Sequence, residues 1–233
     1  MTPQRSDSLR TQALLISTAE RLFAERGIEG VSLSEINRVA GQRNKSALHY
    51  HFGSRDGLLR ALLEKHRHRI DAQRSQMLEQ HQNPESLTLH EAITVLVQPL
   101  STRLDDFEGG GVYYIRIMAQ LSANPQHPLA YWMFNETPSA YAMIAQTISR
   151  YMPKAPTAVR LRRAQLLNAT MFHALLLQSH AADSPAERTL FINDLIDGLA
   201  GLVTAPVSEA SQAAIERYET NLSATANHHP ASV

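Results

Sequence analysis

An all-α fold is the class this sequence predicts, and three observations predict it. Apolar residues recur three and four apart through most of the chain, the period of one helix face. Alternating runs of β-branched residues, the mark of half-buried strands, are scarce. Helix punctuation is frequent: Ser32 with Glu35 and Ser184 with Glu187 have the spacing of a capping box, and Ser54 stands as an N-cap before Arg55-Asp56. The 233 residues are 43% hydrophobic and 19% charged, enough apolar material for a packed core and unlike a disordered composition.

The first helix is expected over 8–26, with Ala13, Ile16, Ala19, Leu22 and Phe23 on one face and Gly27 ending it. A second, short helix follows Ser32, its apolar face made by Leu33, Ile36, Val39 and Ala40 and its end by Gly41, where a left-handed cap suits glycine. Beyond Gln42 and Arg43, Asn44 is placed to cap a third helix over 45–51. Leu48 and Phe52 lie four apart and turn inward, leaving the polar and basic side chains outward. Helix, tight turn, helix: the second helix is dressed to enter a major groove.

From Arg55 a long helix carries Leu58, Leu59, Leu62, Leu63, His66, Ile70 and Met77, with no Gly or Pro between Gly57 and Pro84. One stiff rod therefore leaves the N-terminal unit. Further helices are expected over 86–105 (kinked at Pro99), 112–123, 128–151 (with Pro138 inside), 156–181 and 185–204, with a short amphipathic one over 210–222. The loop 105–111 reads as a flexible connection, because no strand precedes its three glycines and no Gly-Lys-Ser/Thr follows them.

The formal net charge is zero, but it is unevenly spread. Residues 1–69 hold twelve Lys and Arg against seven Asp and Glu, so that segment carries +5 and the remainder −5. Such asymmetry is the footprint of a nucleic-acid-binding end joined to something else. Cysteine is absent, which removes disulfides and thiolate chemistry. His49 with His51, and His66 with His68, are i, i+2 pairs that point to different sides of a helix, and zinc wants three or four converging ligands. No metal, cofactor or catalytic role is expected: there is no GxSxG elbow, HExxH or phosphate loop. No signal peptide is evident and no uncharged apolar run approaches the ~20 residues of a membrane span, so a soluble cytoplasmic protein without a membrane partner is expected.

The stretches GIEGVSLSEINRVAG and KSALHYHFGSRDGLL resemble the N-terminal DNA-binding domain of the TetR family of bacterial transcriptional regulators. Gly27-x-x-Gly30, Ala40-Gly41, Leu48, the aromatic and His cluster ending in Phe52, and Ser54-Arg55 carry the likeness. Two departures stand beside the reading helix. The turn Gln42-Arg43-Asn44 is one residue longer than the family's usual Val-Ser pair, and His49 replaces the family's common Tyr.

The resemblance implies a helix-turn-helix domain over 9–69 and a helical effector-binding and dimerisation domain over 70–205; the His-rich end of the chain makes 206–233 a partly disordered extension. Its partners would be double-stranded operator DNA, a second copy of the chain, and an apolar or aromatic small molecule. Lys45, Ser46 and Ala47 would meet base edges, Lys45 at guanine O6/N7 and the Ala47 methyl at a thymine methyl. His49, Tyr50 and His51 would mix base and phosphate contacts, although packing is an equal account of Tyr50. Arg55 would hold a phosphate at a helix N-terminus, with Ser32 and Ser34 as further phosphate contacts and Arg43 and Asn44 in the turn beside them.

Tyr113, Tyr114, Met118, Leu121, Tyr131, Trp132, Met133, Phe134, Tyr141, Met143, Met171 and Phe172 make either a core or the walls of an apolar ligand pocket, with Arg116, Gln120, Asn135, Asn168 or His173 as polar handles. Leu161, Ala164, Leu175, Leu195, Leu199 and Leu202, on the last two long helices, would form the dimer interface. The function so implied is a ligand-responsive repressor on a palindromic operator. A small-molecule sequestering protein with a vestigial DNA domain, and an architectural DNA protein without effector, are the alternatives.

Overall fold

The computed structural model describes residues 3–42, 44, 46–81, 86–124, 126–129, 139–179 and 184–227, and among these there are ten long or short α-helices and no strand. They are α1 (Pro3–Arg26), α2 (Leu33–Val39), α3 (Ala47–Phe52), α4 (Arg55–Glu79), α5 (Leu89–Ser101), α6 (Gly111–Ala123), α7 (Ser139–Tyr151), α8 (Thr157–Gln178), α9 (Pro185–Thr204) and α10 (Glu209–Asn227). A 3-10 turn, Thr102–Asp105, follows α5. Among the described residues no single helix is long and apolar enough to cross a membrane.

Helices α1 to α3 close over the first turns of α4. Leu15, Ala19, Leu22 and Phe23 of α1 meet Ile36 of α2, Ala47 and Leu48 of α3, and Leu58, Leu59 and Leu62 of α4 in one continuous core. Leu15 completes the inner face of α1, while Ala13, expected there, is exposed.

The helix ends show why the chain turns where it does. Ser32 Oγ accepts from the Glu35 N–H at 3.2 Å, but the Glu35 carboxylate does not reach back; it takes Arg26 Nη1 at 2.6 Å, tying the end of α1 to α2. Full capping boxes form instead at Thr88/Glu91 on α5 and Ser184/Glu187 on α9. Helix α3 starts at Ala47, two residues later than its apolar pattern suggests, because Asn44 Oδ1 accepts from the Ser46 N–H at 2.9 Å and makes a side-chain turn there. It stops at Gly53, whose φ of +71° is costly for any residue with a Cβ.

The rod α4 buries Leu62, Leu63, His66, Ile70, Arg74 and Leu78 and runs on against α5 and α7. Pro99 removes an amide from the interior of α5, which leaves the Val95 carbonyl without its helical donor. One residue on, the Leu96 carbonyl accepts from Arg74 Nη2 at 3.0 Å. Helix α5 is flanked by α4, α7 and α9; α6 lies along α8 and the far side of α1.

The glycine loop before α6 is docked, not a loose connection. Asp106 accepts from Arg103 at 2.9 Å, Arg69 at 3.3 Å and the Gly109 N–H at 3.0 Å, and Gly110 at φ +78° sits where a Cβ would fall on the Glu20 carboxylate.

Candidate nucleic-acid interface and internal cavity

Helix α3 is held by one face and offers the other. Ala47 is 6% exposed and Leu48 2%, both in the core, whereas His49 is exposed and Tyr50 is 82% exposed. Tyr50 therefore does not pack inside; its only ring neighbour among the described residues is His51, edge-on at 5.1 Å. The Ala47 methyl faces inward, so it is not offered to a thymine as the resemblance suggested. Ser46 and Asn44 are exposed at the turn, and Ser32 and Ser34 are exposed at the start of α2 with their hydroxyls 2.9 Å apart. His51 is half-buried. Lys45 and Arg43 lie outside the described residues.

Arg55 has work inside the protein. Its Nη1 donates to the Ile28 carbonyl at 2.7 Å and stands 3.7 Å from Glu29, so it braces the turn between α1 and α2 against α4. A phosphate would compete with these acceptors for the same guanidinium.

Two side-chain clusters join this unit to the remaining helices. Glu20 of α1, 1% exposed, accepts from Lys65 Nζ at 2.7 Å and is paired closely with His66 Nε2, both on α4; the His66 ring stacks on Tyr114 of α6 at 4.7 Å. Gln120 of α6 is bound twice. Its Nε2 donates to the Phe23 carbonyl at 3.1 Å, and its Oε1 accepts from the Ile28 N–H at 2.9 Å. Gln120 thus ties α6 to the last turn of α1, and it lies outside the cavity between α5, α7 and α8 described below.

A cavity of about 240 Å³ opens between α5, α7 and α8. Leu96, Ile144, Ile148 and Leu167 supply apolar wall, with Asn168 set among them and Arg160 beside Met152 and Leu161 at the α7–α8 end. Arg160 Nη2 donates to Ser149 Oγ at 2.5 Å. Tyr141 also lines the cavity, and the Arg74 guanidinium lies 5.4 Å from its ring centroid. Burial raises the Tyr141 phenol above its ordinary range, with Arg74 and Asn168 pulling it partly back. Burial lowers Arg74 and raises Asp71, its neighbour one turn earlier.

Of the residues expected as pocket walls, Tyr141 lines this cavity and, among the described residues, no other does. Tyr114, Met118, Leu121, Met171 and Phe172 are core, Tyr113 is half-buried, and Met143 is exposed; Tyr131, Trp132, Met133, Phe134 and Asn135 lie outside the described residues. Of the polar handles only Asn168 belongs to it. Arg116 and His173 border a separate, more open groove of about 420 Å³ near α1. Arg74 was missed, although it had a signal: a lone cation on the four-residue spacing Ile70, Arg74, Leu78.

The expected dimer residues divide. Leu161 is 59% exposed, and Ala164 and Leu202 are half-buried, but Leu175, Leu195 and Leu199 are sealed within the protomer. The exposed apolar side chains of α8 and α9 are Leu161, Leu166, Leu177 and Leu190.

Residues 15–62 match the family model described as bacterial regulatory proteins, tetR family. No curated protein matches the chain. Among solved structures, a protein from Rhodococcus sp. assigned to the TetR-family transcriptional regulators is 20% identical with a TM-score of 0.52, over 82% of this chain and 99% of its own. A TetR-family regulator from Streptomyces coelicolor is 16% identical with a TM-score of 0.45, over 84% and 96%. A TetR-family transcriptional regulator from Pectobacterium atrosepticum is 19% identical with a TM-score of 0.41, over 88% and 100%. At these identities the Rhodococcus structure speaks for the fold, and the match over 15–62 speaks for the function of that segment. Over residues 15–62 the N-terminal helix-turn-helix unit is similar to the TetR family of bacterial regulatory proteins.

Proposed function

We propose that the chain is a dimeric, ligand-responsive repressor, acting in the cytoplasm, that reads a palindromic operator with α3 and senses a small molecule in the cavity between α5, α7 and α8. The observation that carries the reading is the two-sidedness of α3: Ala47 and Leu48 anchor it, and His49 and Tyr50 stand out from the protein. A six-residue helix with so large an exposed aromatic makes sense when another surface covers it. Lys45, Ser46, His49 and Tyr50 are assigned to bases, and Ser32, Ser34, Arg43, Asn44 and His51 to the backbone beside them.

Domains of about 9–69 and 70–205 fit this division, with α4 shared between them. Leu96 and Tyr141 both line the cavity and both hold Arg74 of α4. A ligand that displaces either wall residue would change how α4 is held, and with it the separation of two reading helices in a dimer. The ligand must prefer the released arrangement; one that binds both equally changes nothing. Leu161, Leu166, Leu177 and Leu190 supply the apolar contact for a second copy.

Electrophoretic shifts on the chain's own upstream DNA test the reading. His49→Ala with Tyr50→Ala is expected to weaken binding at least ten-fold while leaving the circular dichroism melt unchanged. Arg55→Ala is expected to lower affinity and melting temperature together, because it removes the tie to Ile28. Unchanged shifts for the double variant at several salt concentrations would refute the assignment of α3.

A further inference from the structure

We infer that the cavity between α5, α7 and α8 takes a small apolar molecule bearing a carboxylate, its apolar body inside and its carboxylate on the Arg160 guanidinium at the opening. The inference rests on the ligand-responsive reading and names the chemistry of its ligand. Among the described lining residues Arg160 alone is charged, beside the apolar wall of Leu96, Ile144, Ile148 and Leu167. It lines the cavity and is exposed as well, which places it at the rim. Its guanidinium is oriented by Ser149: Nη2 donates to Ser149 Oγ at 2.5 Å, from α8 across to α7. Arg160 enters no ion pair among the described residues, so its other N–H groups are not engaged by an acid of the protein. Ser149 accepts in that bond, which leaves its own hydrogen to donate to the same carboxylate. A guanidinium is a donor-only fork matched to the two oxygens of a carboxylate.

The surroundings favour the same sign. Residues 137–182, which include all of α7 and α8, contain no Asp or Glu but hold Arg150, Lys154, Arg160, Arg162 and Arg163. Two of the three walls, with the turn that joins them, are therefore purely cationic, and a rim of one sign draws anions and turns cations away. The other cations are not the group offered. Arg163 donates to the Val203 and Ala205 carbonyls at 3.4 and 2.5 Å, and Arg162 is exposed and off the lining. Arg74 is buried outside the lining, beyond Tyr141, and its Nη2 is held by the Leu96 carbonyl. Arg160 is the cation at which hollow and charge meet. Ser149 shares α7 with Tyr141, whose ring faces Arg74 of α4, so a carboxylate that draws on Arg160 and Ser149 acts on a helix that braces α4.

Equilibrium dialysis of the full chain against 1-naphthoate and 1-naphthamide at neutral pH tests this, since the two share ring and shape and differ in charge. Burial alone ranks 1-naphthamide the tighter, because an ionised carboxylate costs more to take out of water. The expected result is the reverse, with 1-naphthoate bound about three- to ten-fold more tightly, the range of a charge-assisted hydrogen bond reduced for the exposure of Arg160. Arg160→Gln, which keeps a donor for Ser149 and removes the charge, is expected to abolish the preference. Arg162→Gln, on the same helix but off the lining, is expected to keep it. The inference is overturned if 1-naphthamide binds the native chain as well as 1-naphthoate, if neither binds, if the preference survives in Arg160→Gln, or if Arg162→Gln abolishes it too. The native comparison and the Arg162 variant decide the matter even if Arg160→Gln does not fold. Shifts on upstream DNA, run without either compound, separate the two readings. DNA binding without carboxylate preference sinks the inference alone, and carboxylate preference without DNA binding sinks the regulator.

Discussion

Tyr114 shows what burial does to a single ionisable group. Its phenol is 3% exposed, stacked on His66 and enclosed between α4 and α6. Burial pushes its pKa from 10.0 to about 12, against the partial pull of Arg74. The consequence for stability has a definite sign. Between pH 10 and about 12 the unfolded chain has released this proton and the folded chain keeps it, so the contribution is complete below pH 10 and is lost as pH rises through that window. A shift of this size corresponds to about 2–3 kcal/mol. Urea unfolding of the native chain should therefore lose about that much more stability from pH 10 to 12 than Tyr114→Phe does. Equal losses would mean that the phenol ionises within the fold. The neighbouring Glu20–Lys65–His66 cluster is what makes such a group tolerable there: Lys65 and His66 both face the one buried carboxylate, and the aromatic ring closes over the imidazole.

At the scale of elements, α9 poses a question about two glycines. Gly198 and Gly201 are exposed in the middle of the helix, and a Cβ at either would meet open space within the protomer. Each costs a helix about 1 kcal/mol relative to alanine, and nothing inside the chain demands it. Leu190 is exposed on the same helix. Close approach of another helix backbone is the physical use of such positions. Gly198→Leu should then leave the protomer folded, and as stable or more so, while shifting light-scattering mass from dimer toward monomer. A persistent dimer would remove α9 from the interface.

This is also where reading the sequence reached its limit. Leu48 and Phe52 located α3, and Ser184-Pro185-Ala186-Glu187 located the start of α9, because caps and period are local. Leu175, Leu195 and Leu199 recur with the same period as any interface stripe, and period alone does not say which neighbour covers a stripe; here it is the protomer's own α5 and α6. The cavity was hidden for a related reason. Tyr114, Met118, Met171 and Phe172 are large enough to fill space and do fill it, whereas the hollow remains beside the short side chains Ala145 and Ala164. Leftover volume is a difference between packed surfaces and leaves no pattern in the chain.

Across the whole molecule, the +5 of residues 1–69 is already net of that segment's own acids, and ion pairing decides which cations stand ready for DNA. Arg21 faces Glu25, Arg26 and Arg38 share Glu35, Lys65 is taken by Glu20, and Arg69 by Asp106. Arg55 divides itself between Ile28 and Glu29. These pairs brace the unit from within, and most are exposed enough to be worth little individually. What remains near α3 is hydroxyl, amide and imidazole chemistry with a few cations, which positions a backbone without neutralising many phosphates. The salt dependence should reflect that. With two to three ionic contacts in each half-site, the slope of log Kobs against log salt should lie near −4 to −5 for a dimer, at about −0.9 per neutralised phosphate. Filter binding from 50 to 200 mM NaCl measures it directly. A slope steeper than about −8 would show that cations outside α3, such as the exposed Arg10 on the first turns of α1, are drawn to the duplex, and that the reading surface is wider than one helix and its turn.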